Sequence, residues 1–310
     1  MLAIAGRRLV SMLLIMFVIS VLLFLFFEGD KLNLAARVLG QYSPMSGRLA
    51  WLENNGYNRP ILTRYMSWLY GFATGDWKKS AQFSAPVFTF LLPRLKNTAI
   101  LGGLVFLCTI VISLTLGVLS GIAEASKRDR AISILSVLTT SVPEFASATF
   151  LVAIFVYWLK WLPGSSSFAN GFAWNELVLP VATLVIYNFG YYTRMTRASM
   201  AEVMNSQYIR TAVLKGLPYR QVILRHALRN ALIAPFTVMI LQLNYLLSGV
   251  VVTEVFFAYD GYGKALYDAA LYGDVYLILA GAMIAVVVAV VSQFISDIGY
   301  TLLNPRIRFS

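Results

Sequence analysis

The sequence holds a single cysteine, Cys108, and a single histidine, His226. One thiol cannot close an internal disulfide, so cysteine says nothing here about compartment. One thiol and one imidazole also fall short of the ligand set of a structural zinc site. Charge is sparse, at 13% of 310 residues, where a soluble domain carries about a quarter. Acidic residues are scarcer than basic ones, 14 against 25, for a net charge of +11. No Gly-x-x-x-x-Gly-Lys-Ser/Thr phosphate loop is present. Gly261-Tyr262-Gly263-Lys264 lacks both the spacing and the hydroxyl residue. The chain is therefore not expected to be an enzyme or to hydrolyse ATP itself. No internal repeat is visible and few titratable residues fall inside the apolar runs, which argues against an ion-coupled secondary transporter. The runs also lack a nucleophile–base pair or a metal cluster, which argues against an intramembrane enzyme.

What the chain does have is apolar length. Hydrophobic residues make up 59% and the mean hydropathy is +0.72. One soluble core of this size cannot hide so much apolar surface, and lipid is its natural solvent. Six apolar runs stand out: Leu9–Phe27, Thr98–Ile122, Ile134–Leu159, Leu177–Thr193, Ala231–Glu254 and Val275–Leu303. Each is near or above the roughly 20 residues that a spanning helix needs. The first follows Arg7 and Arg8 as a signal peptide would, but leads into Phe26-Phe27-Glu28 without a small-x-small cleavage pattern, so it reads as a retained helix. The expected class is an all-α membrane protein of about six transmembrane helices. Its divisions are 1–27, an N-terminal span; 28–96, an outer segment of short helices rich in Pro and Trp; and 97–305, a five-helix core with a cytoplasmic loop at 194–230.

The basic residues give an orientation. With the N-terminus cytoplasmic, fourteen of the 25 lie on cytoplasmic pieces, seven of them between Arg194 and Arg229. The two short outer loops hold only Lys160 and Lys264; the remaining nine lie in 28–96, and long segments count little in this rule. Both termini are thus expected in the cytoplasm. Basic charge distributed between apolar spans also excludes nucleic acid as a partner and leaves membrane lipid as the surrounding medium.

Residues 194–230 are too polar to span yet are not linker-like. Helix formers run from Met200 to Leu214, Gly216 can end a helix in the left-handed region, and Pro218 suits the first turn of a second helix from Tyr219. The pattern predicts a helical elbow. Its ordinary role would be adhesion to anionic lipid through arginines. Its sharper role would be docking a soluble partner and passing on a rigid-body push.

The elbow Arg210-Thr211-Ala212-Val213-Leu214-Lys215-Gly216-Leu217-Pro218, followed by Arg225-His226-Ala227-Leu228-Arg229-Asn230-Ala231-Leu232, resembles the "EAA" loop of binding-protein-dependent ABC importer permeases. More narrowly it is similar to the B-type permease of the dipeptide/oligopeptide/nickel subfamily. Arg210 stands where importers at large have Glu, and Ala234-Pro235 stands for Leu-Pro. Arg64-Tyr65-Met66-Ser67-Trp68-Leu69, Gly75-Asp76, Ser80, Glu254-Val255-Phe256, Asp260 through Leu266 and Asn304-Pro305-Arg306-Ile307-Arg308 resemble other stretches of that subfamily. Glu28-Gly29-Asp30-Lys31 departs from its usual Pro-Gly-Asp-Pro.

The resemblance implies a type I importer permease fold in a bacterial inner membrane and an ATP-driven import of peptides, with nickel or another small solute as the alternative cargo. It implies four kinds of partner: a second homologous permease, two ATP-binding subunits, a periplasmic or lipid-anchored binding protein, and lipid. No cofactor belongs to this chain; ATP and magnesium would sit in the partner ATPases. The docking residues implied are Tyr208, Arg210, Thr211, Ala212, Lys215, Gly216, Leu217 and Pro218.

Glu144, after Pro143 and about ten residues into the third run, is a candidate for the translocation path, since an intramembrane carboxyl is costly unless partnered or solvated. Its ordinary role would be structural. Asp297 is expected to pair with cytoplasmic arginines such as Arg306. Glu254 and Asp260 are expected at the outer mouth, solvated, with docking of the binding protein as the alternative. His226 is expected to have a structural or docking role rather than to carry protons, and Gln242, Asn244 and Gln293 to join helices or line the path.

Overall fold

The computed structural model describes residues 2–29, 31–168, 171–248 and 250–303. The side chains of 2–5, 7, 8, 241–244, 247, 248 and 297–303 lie outside that description. Expectations for Gln242, Asn244, Asp297, Asp30 and the 304–308 tail therefore fall outside the described residues. No strand occurs among the described residues; one isolated antiparallel bridge joins Lys79 and Pro86. The chain forms two compact units, Met1–Thr98 with Asp260–Phe294, and Ala99–Tyr259 with Ile295–Ser310.

In the first unit, α1 (Leu2–Glu28) is an almost unbroken apolar helix. It is followed by α2 (Lys31–Leu39), α3 (Met45–Asn54) and α4 (Ile61–Thr74). Pro44 and Pro60 stand immediately before α3 and α4; their fixed φ and their exclusion of the preceding residue from helix determine where these two helices begin. Tyr65 of α4 packs edge-on to Phe24 of α1 at 5.4 Å, and its hydroxyl lies 2.7 Å from Ser20 Oγ. The start of α5 (Val87–Gly121) meets α14 (Tyr262–Tyr272) and the start of α15 (Val275–Leu303). Val87, Leu91, Tyr262, Ala269 and Leu277 form that core. Buried Asp274 accepts from Ser80 Oγ at 2.5 Å and from the amides of Gln82 and Leu277, capping α15.

The second unit contains the rest of α5, then α6 (Lys127–Ser141), α7 (Glu144–Val152) with a π-helical continuation Ala153–Trp158, and α8 (Trp174–Met204). Beyond α8 come α9 (Gln207–Leu214), α10 (Tyr219–Gln221), a π-helical turn Val222–Ala227 and α11 (Leu228–Ala231). Finally α12 (Ile233–Ser248) and α13 (Val251–Phe256) lead to Tyr259. Leu101 and Val105 of α5, Leu184 and Phe189 of α8 and Leu246 of α12 form its largest core.

Among the described residues, three helical stretches are long and apolar enough to cross a membrane: Leu9–Glu28, Val87–Gly121 and Val275–Ser296. A fourth is the pair α6–α7, bent by 102°. The sequence predicts one spanning run over Ile134–Leu159. Pro143 breaks it because proline removes an amide donor and pushes the residue before it out of helix; Val142 is extended, at φ −91° and ψ 125°. The other two expected spans fall on α8, whose buried Thr183, Asn188, Thr193 and Thr196 dilute its apolar character, and on the 16-residue α12 with the short α13 after it.

Candidate functional site

The helix expected over Met200–Leu214 is two helices. Ser206, at φ −73° and ψ 151°, separates α8 from α9, and its hydroxyl donates to Val203 O at 2.6 Å. Asn and Ser divert the backbone by such local bonds. α9 ends as the glycine predicts. Gly216 has φ +76°; its amide donates to Val213 O at 2.9 Å and the Leu217 amide to Ala212 O at 3.4 Å. These are the two bonds of a Schellman cap, with the apolar residue after the glycine packed back on the helix. A Cβ at Gly216 would meet nothing within 4 Å, so the position needs glycine for its backbone and not for space.

The elbow is seated rigidly. Ile209 and Ala212 point into a core with Met200 of α8, Val222, Ala227 and Ala231, and Leu217 packs against it. Ser199 Oγ donates to Ala231 O at 2.8 Å, and Asn230 Nδ2 donates to Tyr208 Oη at 3.0 Å. Of the eight residues named from sequence, Tyr208, Arg210, Thr211, Lys215 and Gly216 are exposed together, Ala212 is buried, and Leu217 and Pro218 are half-buried or exposed at the edge of the same surface. Two residues of that surface escape the sequence reading: Val213 and Leu214, 51% and 79% exposed. The available signal was spacing: with Ile209 and Ala212, three residues apart, on the inward stripe, a Leu five residues after Ile209 must face outward. The outer surface is thus apolar at Tyr208, Val213 and Leu214 and cationic at Arg210, Lys215 and Arg220.

Glu144 opens α7 just after the bend. Its half-buried carboxylate accepts from Oγ1 of Thr253, a buried residue of α13. The structure thus ties this candidate to a neighbour 109 positions away, a pairing invisible in the sequence. Glu254 is fully buried, which corrects its expected solvation: α13 packs on α7 and α8 and carries it inside. Asp260 is half-exposed and paired with Arg94 at 2.9 Å. His226 is half-buried in the π-helical turn, and Gln293 is exposed.

A second cluster lies beside the elbow and is not anticipated by sequence. Asp129, 2% exposed in the first turn of α6, receives both arms of the Arg197 guanidinium, Nε to Oδ1 at 2.5 Å and Nη2 to Oδ2 at 2.7 Å. Ser120 Oγ of α5 donates to Oδ1 at 2.5 Å and the Ala125 amide to Oδ2 at 2.9 Å. In the first unit, a cleft of about 320 Å³ is lined by Phe24, Trp68, Trp77 and Tyr276 around the Glu28–Arg64 ion pair. Burial pushes the phenol of Tyr57 there well above its usual range. Among the described residues no group of three or more His, Cys, Asp or Glu could hold a metal ion.

Residues 113–309 match the family described as binding-protein-dependent transport system inner membrane component. Residues 1–115 match the N-terminal family of the same membrane components. The oligopeptide transport system permease protein AppB of Bacillus subtilis is 31% identical over 98% of both chains. A probable peptide ABC transporter permease protein of Sinorhizobium fredii is 30% identical over 98% of both. The oligopeptide transport system permease protein OppB of Escherichia coli is 32% identical over 81% of this chain and 82% of its own. Among solved structures, a chain of the inward-facing MetNI methionine ABC transporter superposes with a TM-score of 0.59 at 16% identity, over 71% of this chain and 99% of that one. An amino acid ABC transporter with histidines gives 0.50 at 13% identity, over 70% and 93%. These likenesses show the type I importer permease fold. The chain therefore belongs to the inner membrane components of binding-protein-dependent transport systems, as a multi-pass permease of the ABC transporter class.

Proposed function

We propose that this chain is one half of the translocation pathway of an ATP-driven peptide importer in a bacterial inner membrane, both termini cytoplasmic. The observation that carries this reading is the elbow. A rigidly seated helix with a fixed cap presents an exposed apolar and cationic surface, and relatives along nearly the whole chain are named peptide permeases. In this reading a second, homologous permease completes the pathway. Two ATP-binding subunits hold the ATP and magnesium, and an outer binding protein delivers the cargo. One ATPase receives the surface of Tyr208, Arg210, Thr211, Val213, Leu214 and Lys215. Closure of the ATPases then moves the permeases as rigid bodies. This chain supplies the lever and hydrolyses nothing itself. Glu144, at the bend and partnered by Thr253, belongs to the wall of the path.

The test is reconstitution of the complex in liposomes with uptake of a labelled peptide. Uptake is expected only with the ATPases and ATP present. Uptake by this chain without an ATPase overturns the reading. Arg210→Glu puts a negative charge on a cationic contact surface, and about tenfold weaker retention of the ATPases is expected; unchanged co-purification counts against the docking role. Gly216→Val is expected to leave insertion intact and lower uptake several-fold, because a β-branched residue resists the left-handed cap at a cost of roughly 1–2 kcal/mol or more. Gly216→Asn, which tolerates that region, should retain most uptake. Equal uptake by the valine variant would show that the cap geometry is not needed.

A further inference from the structure

The Asp129–Arg197 cluster does more than neutralise a buried charge. Its carboxylate gathers donors from separate pieces of the second unit: Ser120 near the end of α5, Ala125 in the connecting turn and Arg197 on α8. The Asp129 amide in turn donates to Ser126 Oγ at 3.1 Å, the cap that starts α6. Ala125 has φ +63°, a left-handed conformation that a non-glycine residue keeps only where its surroundings impose it. The bond from its amide to Asp129 supplies that constraint. α8 is also gripped closely by α5. A Cβ at Gly117 would fall 2.4 Å from Thr196 Cβ, and one at Gly121 would fall 2.6 Å from Met200 Cβ.

The position along α8 is the informative part. Arg197 precedes Ser199 and Met200, which hold the elbow through Ala231 O and the Ile209–Ala212 core. One turn of α8 thus carries the α6 clamp on one face and the elbow's seat on another. α6 in turn leads straight to the 102° bend and to Glu144. A fork of two charge-assisted bonds is short and directional, so α6 cannot slide along α8 while it holds.

We propose that the Asp129–Arg197 fork is the coupling clamp of this permease. It makes α6 move with α8, so that a displacement of the elbow reaches the α6–α7 bend and the path beyond. Asp129 and Arg197 are positioning residues, touching neither cargo nor nucleotide. The inference rests on the docking reading of the elbow.

Asp129→Asn keeps the side-chain shape but leaves one acceptor, and turns an amide donor toward the Arg197 or Ala125 donors. In the reconstituted complex, hydrolysis and uptake are measured together. The expected result for Asp129→Asn is a fully assembled complex with ATP hydrolysis within about twofold of wild type. Peptide delivered per ATP should be lower by roughly tenfold, the low end of what the loss of one hydrogen bond to a charged group costs. Arg197→Lys, which keeps the charge but loses the fork, should fall between. Wild-type delivery per ATP in assembled Asp129→Asn overturns the clamp. So does failure of both variants to assemble, which makes the cluster a folding element. ATP-independent uptake by the wild type, in contrast, defeats the docking reading itself.

Discussion

Gly190→Val is expected to cut the recovery of folded permease sharply. Even the first added carbon has no room: a Cβ at Gly190 would sit 2.3 Å from Ser136 O, 2.7 Å from Thr139 Oγ1 and 3.0 Å from Thr140 Cγ2. The nearest of these is backbone and cannot swing aside. Ser136 O already accepts from Thr139 Oγ1 at 3.2 Å and Thr140 Oγ1 at 3.0 Å, so that turn of α6 is held in place. α6 would have to move off α8 along their whole contact. Overpacking a rigid interior costs up to about 3 kcal/mol and sometimes more, and two branches beyond Cβ place valine at or above that end. That corresponds to a loss of roughly a hundredfold in the folded-to-unfolded ratio. The measurement is the yield of monodisperse protein in detergent. Gly103→Ala is the control, since Gly103 lies on α5 with nothing within 4 Å of its would-be Cβ, and it should behave as wild type. Monodisperse Gly190→Val at normal yield would show that α6 and α8 do not approach as described.

That contact illustrates which parts of the molecule were legible in the sequence. The helices were, because apolar length is a one-dimensional signal: α1, α5 and α15 lie where runs of apolar residues predict spans. The elbow was legible too, because Gly216 and Pro218 act on their own backbone and need no distant partner. The bend at Pro143 was half legible. A proline inside an apolar run announces a break, but the 102° angle is set by what α7 packs on. Side-chain pairings between helices were not legible. Asp129 and Arg197 are 68 positions apart, and Glu144 and Thr253 are 109. In a soluble protein, burial can be read from the apolar stripe of each helix. Here the stripe is missing, because lipid-facing and protein-facing residues are alike apolar. Leu9–Glu28 has a hydropathy of 3.1 with only 11% of its most apolar stretch buried. Glu254 shows the same problem in reverse, an acidic residue that the fold encloses completely.

Leu214→Asp is expected to detach the ATPases while leaving the permease folded. Leu214 is 79% exposed and contributes nothing to the core beneath α9, which is made by Ile209 and Ala212. A large apolar side chain held outward on a rigid helix, beside Val213 and Tyr208 and rimmed by Arg210, Lys215 and Arg220, has the make-up of an interface centre with a charged rim. Its removal should therefore weaken association rather than folding. Truncating a central contact costs about 2 kcal/mol or more. A buried carboxylate, besides, must be desolvated without a dedicated partner. Together these correspond to a loss of roughly a hundredfold in ATPase affinity. Arg210→Glu at the rim should cost less, because rim charges act mostly on the rate of encounter, and its defect should shrink with added salt while that of Leu214→Asp should not. Leu271→Asp, at a 65% exposed leucine of α14 outside the elbow, serves as the control and should leave ATPase retention unchanged. If Leu214→Asp co-purifies with a full complement of ATPase subunits at both low and high salt, the elbow surface is not where the motor binds.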